Sequence, residues 1–206
     1  MKKYFAITAM AALALVSCNK NGFQTDDKNQ DGNGNTVTGI VLNELDATKK
    51  FIEIYNTTDK EVSLEGVCLV KYDSTKEGGK STTWTGAAGM KIAAKSWVYL
   101  ESSDLADEAE GGKPDYAYQS ENHIFRGGLS GKKNVKLELL AADGKVYDTF
   151  TRGEEGAGWN QVSGFANNKT NSFCRVPDGT GEWVYAAPTP GKANGEKTGE
   201  IEQTNA

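Results

Sequence analysis

The chain has little of what site chemistry most often uses. Its 206 residues include a single histidine, His123, only three cysteines and only four prolines. A Ser/His/Asp triad would rest on that one imidazole, and no serine stands in a Gly-x-Ser-x-Gly setting. Zinc finds no ligand spacing either, because one histidine and scattered cysteines do not form a set. Basic residues are not in excess: 23 Lys and Arg face 28 Asp and Glu, a net charge of −5, so nucleic acid is not an expected partner. No apolar run reaches the roughly 20 residues of a membrane-spanning helix. The expectation is a chain with no metal, no cofactor and no catalytic residues.

What is present begins with an address. Lys2 and Lys3 precede an apolar run from Tyr4 to Val16, too short to span a bilayer and typical of a signal peptide. Leu15-Val16-Ser17-Cys18 resembles the lipobox of bacterial lipoproteins. That resemblance implies removal of residues 1–17, a diacylglycerol thioether on Cys18 and fatty acylation of the new amino terminus. Several chains anchor stably where one would not, at about 0.8 kcal/mol per buried methylene. Asn19 follows Cys18 where, in enteric bacteria, aspartate would retain the protein in the inner membrane. The expected location is therefore the outer membrane, facing the periplasm or the cell surface, with the membrane itself as a partner through Cys18.

Residues 18–38 are rich in Asn, Asp, Gly, Lys and Gln and cannot repay chain entropy by burial, which reads as a flexible tether. Residues 195–206 have the same character and read as a disordered tail. Between them, residues 39–194 are an ordinary length for one domain. Their apolar residues alternate or come in short bursts, with no long helical stripe. The segments 39–45, 51–56, 67–72, 91–101, 135–141, 145–151, 172–176 and 182–186 are expected strands. Asp143-Gly144 marks a two-residue hairpin of type I′, which needs positive φ at both positions. The segment 104–112 reads as an excursion loop. This pattern is all-β, a sandwich of two sheets.

Several stretches, in order, resemble the lamin tail domain, an immunoglobulin-like β-sandwich found in nuclear lamins and in many bacterial secreted proteins. They are Ile40-Val41-Leu42-Asn43-Glu44, Phe51-Ile52-Glu53-Ile54-Tyr55-Asn56, Val62 to Val67, Ala93 to Leu100, and Val135-Lys136-Leu137 through Val146-Tyr147-Asp148. Ser172 to Gly179, Trp183 and Thr189-Pro190-Gly191-Lys192-Ala193-Asn194 close the series. Val67 stands where the family usually has tryptophan. The resemblance implies a binding or scaffolding module with no catalytic set of its own, and a protein, cell-wall or glycan ligand.

Four features merit a structural test. Cys68 and Cys174 are either bridged, contributing about 4 to 5 kcal/mol in the chain-entropy model, or two buried thiols. Glu44 and Glu53 fall on adjacent strands, in a register with Leu42 opposite Ile54 and Asn43 opposite Glu53. Paired carboxyls roughly 5 to 10 Å apart would serve a glycosidase, but hydrogen-bonded structural acids fit the pattern better. Asp27 to Gly32 matches the first half of a calcium loop and then fails, with Gly34 and Thr38 at positions 8 and 12. Finally, Trp159, Asn160 and Phe165 combine aromatic faces with an amide, a mixture suited to sugar binding. The same residues would also suit a plug over one end of the sandwich.

Overall fold

In the computed structural model, which describes residues 39–48, 50–104, 120–161, 165 and 169–202, the alternating segments are strands. The segment Ile40–Asp46 is β1, and Phe51–Asn56 returns antiparallel to it as β2. Both are buried along nearly their whole length, which explains their mixture of apolar and fully hydrogen-bonded polar residues. Further along come β3 (Val62–Ser63), β4 (Cys68–Tyr72), β5 (Lys80–Thr85), β6 (Lys91–Ile92) and β7 (Trp97–Ser102). They are followed by β8 (Ile124–Phe125), β9 (Val135–Leu140), β10 (Val146–Arg152), β11 (Ser172–Val176), β12 (Glu182–Ala186) and β13 (Lys197–Glu200).

Two sheets carry the architecture. The larger has the order β13-β12-β11-β1-β2-β7-β8, and the smaller β10-β9-β4-β5. All the pairings are antiparallel except β7 with β8. A minor ribbon pairs β3 with β6. The facing sides interlock through Ile40, Leu42, Ile52, Ile54 and Leu100 from one sheet and Leu69, Leu137, Leu139 and Phe150 from the other. Phe150 meets Phe173 at 5.3 Å and Trp183 at 4.7 Å, aromatic geometries that add to area burial. The sheets are also tied by charge. Arg175 on β11 donates to both carboxylate oxygens of Asp148 on β10, at 3.0 and 3.1 Å, while Asp148 accepts the Leu42 amide at 2.9 Å. Burial pushes the Asp148 carboxyl upward and the Arg175 guanidinium opposes it. This is the two-sheet β-sandwich that the alternation predicts, immunoglobulin-like as the family resemblance implies.

Four expectations need correction. The segment 91–101 is two strands, because residues 93–96 turn with Lys95 at φ +49. Asn56 holds that turn by donating to the carbonyls of Lys60, Ile92 and Ala93. The β9–β10 hairpin is not type I′. Only Gly144 has positive φ, while Gly144 N–H donates to Ala141 O at 2.9 Å and Ala141 N–H to Lys145 O at 2.8 Å. That is a type I turn closed by a glycine bulge. Strand β5 was unexpected because Lys-Ser-Thr-Thr-Trp-Thr is an edge strand with mostly exposed side chains and little apolar alternation. The tail 195–206 is not structureless throughout: β13 pairs with β12, and Ile201 is buried in the core. Four short, mostly exposed residues give too weak a periodicity to read as a strand. Residues 1–38, which include Cys18 and the calcium-like segment 27–32, lie outside the described residues, as do 105–119 of the excursion.

Candidate functional site

The densest group of titratable side chains lies on the outer face of the larger sheet. Leu42 is opposite Ile54, as expected, but the register then shifts, and Glu44 is the residue opposite Glu53. A β-bulge at Asn43 is the cause. It places Asn43, Glu44 and Glu53 together, and all three are fully buried. Asn43 donates its amide to Glu53 at 2.9 Å and to Asp178 at 3.1 Å, and accepts the Gly179 amide at 2.8 Å.

Residues 188–194 form a strap over these acids. Thr189 gives its N–H and its hydroxyl to Glu44 at 3.0 and 3.1 Å. Gly191, at φ +71, gives its N–H to Glu53 at 2.7 Å. Asn194 donates its side-chain amide to the carbonyls of Asn43 and Arg175 and its backbone N–H to the Asp178 carboxylate. Burial pushes Glu53 up to about 8 against the pull of the Asn43 and Gly191 donors, and pushes Glu44 up as well. Cys174 lies in the same pocket of charge, and burial with the two neighbouring carboxylates drives its thiol far up, away from the thiolate. These acids fasten the strap. They face no opening, and a thiol held protonated is a poor nucleophile.

The two cysteines are not bridged. Cys68 sits on β4 between the core residues Val67 and Leu69, and Cys174 on β11 next to core Phe173. Alternation therefore turns both away from the interior, on the outer faces of different sheets. The lone histidine is half-buried and its Nδ1 lies 2.8 Å from the Ser120 hydroxyl. Burial lowers its pKa. Among the described residues no carboxylate completes a triad, and no three His, Cys, Asp or Glu side chains are placed to hold a metal ion.

The structure does bring Trp159, Asn160 and Phe165 to one region, but as packing. Trp159 and Phe165 are each 7% exposed, so neither ring offers a face to a sugar. Asn160, at φ +61, donates to Asp73 at 2.7 Å, and its amide oxygen takes Lys133 at 3.4 Å. Phe165 covers the guanidinium of Arg152 at 4.1 Å. Arg152 is itself fully buried with one hydrogen bond, to Gly131 O at 2.9 Å, and its Nε and second terminal nitrogen have no partner among the described residues. The plug reading of this loop is the one the geometry favours.

An opening exists elsewhere. Where the edge strand β5 approaches the short β8, the two sheets meet through one backbone bond, Arg126 N–H to Thr83 O at 2.8 Å. Beside it is a cavity of about 360 Å³, lined by residues 82–85 of β5 with Asn122, Ile124 and Arg126. Sequence reasoning missed this seam because β5 itself was missed.

The sequence profile of the Lamin Tail Domain family matches residues 33–154, more than half of the chain. The chain belongs to the lamin tail domain family. No curated protein matches it. The profile ends at residue 154, yet β11 to β13 complete the larger sheet of this lamin tail domain, and Arg175 and the strap bind back to Asp148, Glu44 and Glu53. The motif residues Asp148, Arg175, Glu44, Glu53 and Asn194 thus have a shared office in the lamin tail fold: they join its closing segment to its opening strands.

Proposed function

We propose that the protein is a lipid-anchored envelope lipoprotein that presents a non-catalytic lamin tail domain as a binding module. The lipobox-like Leu15-Val16-Ser17-Cys18 supports the anchor. The observation that carries the binding role is the open seam between β5 and β8, where an edge strand and a polar cavity face outward while the buried acids are spent on the strap. No helix among the described residues is long and apolar enough to cross a membrane. The rings of Trp159 and Phe165 are buried, and a glycan ligand would have to bind somewhere other than that loop.

Two measurements test this. An alkyne fatty acid fed to producing cells should label the wild type, and Cys18→Ala should lose both the label and the membrane fraction. A photo-crosslinking residue at Thr82 should capture a partner in intact envelopes, whereas one at Lys192 on the strap should not. Equal capture at both positions, or none at Thr82, would remove the seam as the binding surface.

A further inference from the structure

We propose that the seam cavity is a binding site for a sugar acid, a small polyhydroxylated carboxylate such as a hexuronate, with Arg126 as its carboxylate receptor. The inference rests on the binding-module reading and adds the chemistry of the ligand.

Arg126 is exposed at the cavity, and its guanidinium is in no hydrogen bond or ion pair among the described residues. Its planar fork suits a carboxylate, which it binds through two parallel bonds. In a chain of net charge −5, an unpaired cation in a cavity marks where an anion is welcome. The neighbouring groups divide into spent and available. The Thr83 hydroxyl already donates to Leu69 O at 3.2 Å, and the Trp84 indole N–H to Asn122 O at 2.7 Å. The side chains of Thr82 and Asn122 are exposed and have no such partner among the described residues, where Thr85 has only a 3.5 Å contact with the Cys68 sulfur. Two hydroxyls and an amide within one cavity are partners for ligand hydroxyls.

The same walls argue against a neutral sugar. Trp84 is only 5% exposed and belongs to the core, so no aromatic face is offered for ring stacking. Ile124 adds little apolar area. Affinity must come from the Arg126 pair, and the hydroxyl partners then select among carboxylates. A cavity of about 360 Å³ lies at the small end of ligand sites, about 300 to 1,000 Å³, the scale of a sugar residue and not of a long chain.

The test is calorimetric titration of the full chain with glucuronate, galacturonate, glucose, acetate and an acidic peptide. Saturable binding of at least one uronate, with glucose and acetate each at least tenfold weaker, is expected. Arg126→Gln should reduce uronate affinity tenfold or more with an unchanged circular dichroism spectrum and Tm. Arg126→Lys, which keeps the charge and loses the fork, should fall between, and Thr82→Val should lose a few-fold. Absence of uronate binding, or binding that Arg126→Gln leaves intact, overturns the proposal. Acetate binding as tightly as uronate overturns the sugar part. Tighter binding of the acidic peptide at Arg126 overturns the ligand class while leaving the binding-module reading standing. That reading fails separately, if crosslinking from Thr82 captures nothing.

Discussion

Stability should fall as pH rises from 6.5 to 8, and Glu53 should be the main cause. Its carboxyl ordinarily titrates near 4.5, and burial raises it to about 8 in the folded chain. Between those values the folded state holds a proton that the unfolded state has released. Folding is then linked to proton uptake, and raising the pH disfavours it. The stabilising contribution is complete below about 4.5 and is lost as pH climbs through about 8. A full one-proton difference corresponds to about 1.4 kcal/mol per pH unit, so a loss of about 1 to 2 kcal/mol over this window is expected. Glu44 and Asp148 are raised as well and act in the same direction. His123, lowered by burial, acts oppositely but only below its ordinary 6.5, which is why the window begins there. Glu53→Gln removes the titration. It also turns an amide N–H₂ toward either Asn43 or Gly191, both donors, at a cost of about 1 to 3 kcal/mol. The variant should therefore be the less stable protein at pH 6.5, with a shallower pH dependence, so that the gap narrows toward pH 8. Urea unfolding followed by tryptophan fluorescence at several pH values reads both curves. A wild-type stability that is flat or rising across the window, or a variant with the same slope, would refute the reasoning.

Three further outcomes follow from the packing. Gly179→Ala should cost about 2 to 5 kcal/mol, because a Cβ there would lie 2.6 Å from Tyr55 and 2.7 Å from Thr57 at φ +69. Gly191→Ala, at φ +71 but with Tyr99 no nearer than 3.6 Å, should cost only about 1 to 2 kcal/mol; equal losses in thermal unfolding would contradict the distinction. Arg152→Met should leave stability unchanged or raise it by about 1 kcal/mol or more, since it removes a buried charge with one hydrogen bond, and a loss above about 2 kcal/mol in urea would show that its contacts with Phe165 and Phe173 outweigh the burial penalty. Cys174 should resist alkylation by iodoacetamide at pH 8 until the domain unfolds, because its thiol is kept protonated. Modification at the rate of a free thiol in the native protein would show that burial does not keep the thiol protonated and out of reach.

The strands with apolar alternation could be read from the chain itself, and the family motifs placed them in order. The polar edge strands could not, because β5 buries only two side chains and β13 none, and the rest of their residues look like loop. The bulge at Asn43 was invisible for a different reason: one extra residue in a ladder leaves no mark in composition, yet it decides that Glu44 as well as Asn43 meets Glu53. The strap was visible as a motif at Thr189 to Asn194, but its office depends on backbone N–H groups of Thr189 and Gly191, which every residue except proline possesses. The cysteines carried an unused signal. Each stands next to residues that face the core, and strand parity alone turns both outward, onto different sheets. Trp159 allowed two readings, a sugar-binding face and a plug over one end of the sandwich, and only its 7% exposure separates them, because composition does not say which way a loop ring turns.

The direction of β1 has a vectorial consequence. The described chain enters the larger sheet at Ile40, beside Asn56, and β13 runs antiparallel to β12 back toward that same end. Ile124 of the seam is level with Glu101, Phe51 and Asp46, at the opposite end of β1. The six steps from Ile40 to Asp46, at about 3.3 Å each, separate the two by about 20 Å along the strand. A tether joined at Gly39 and a ligand held at Arg126 would therefore approach the domain from opposite poles, and a reporter fused ahead of Gly39 would leave the doorway at the seam clear.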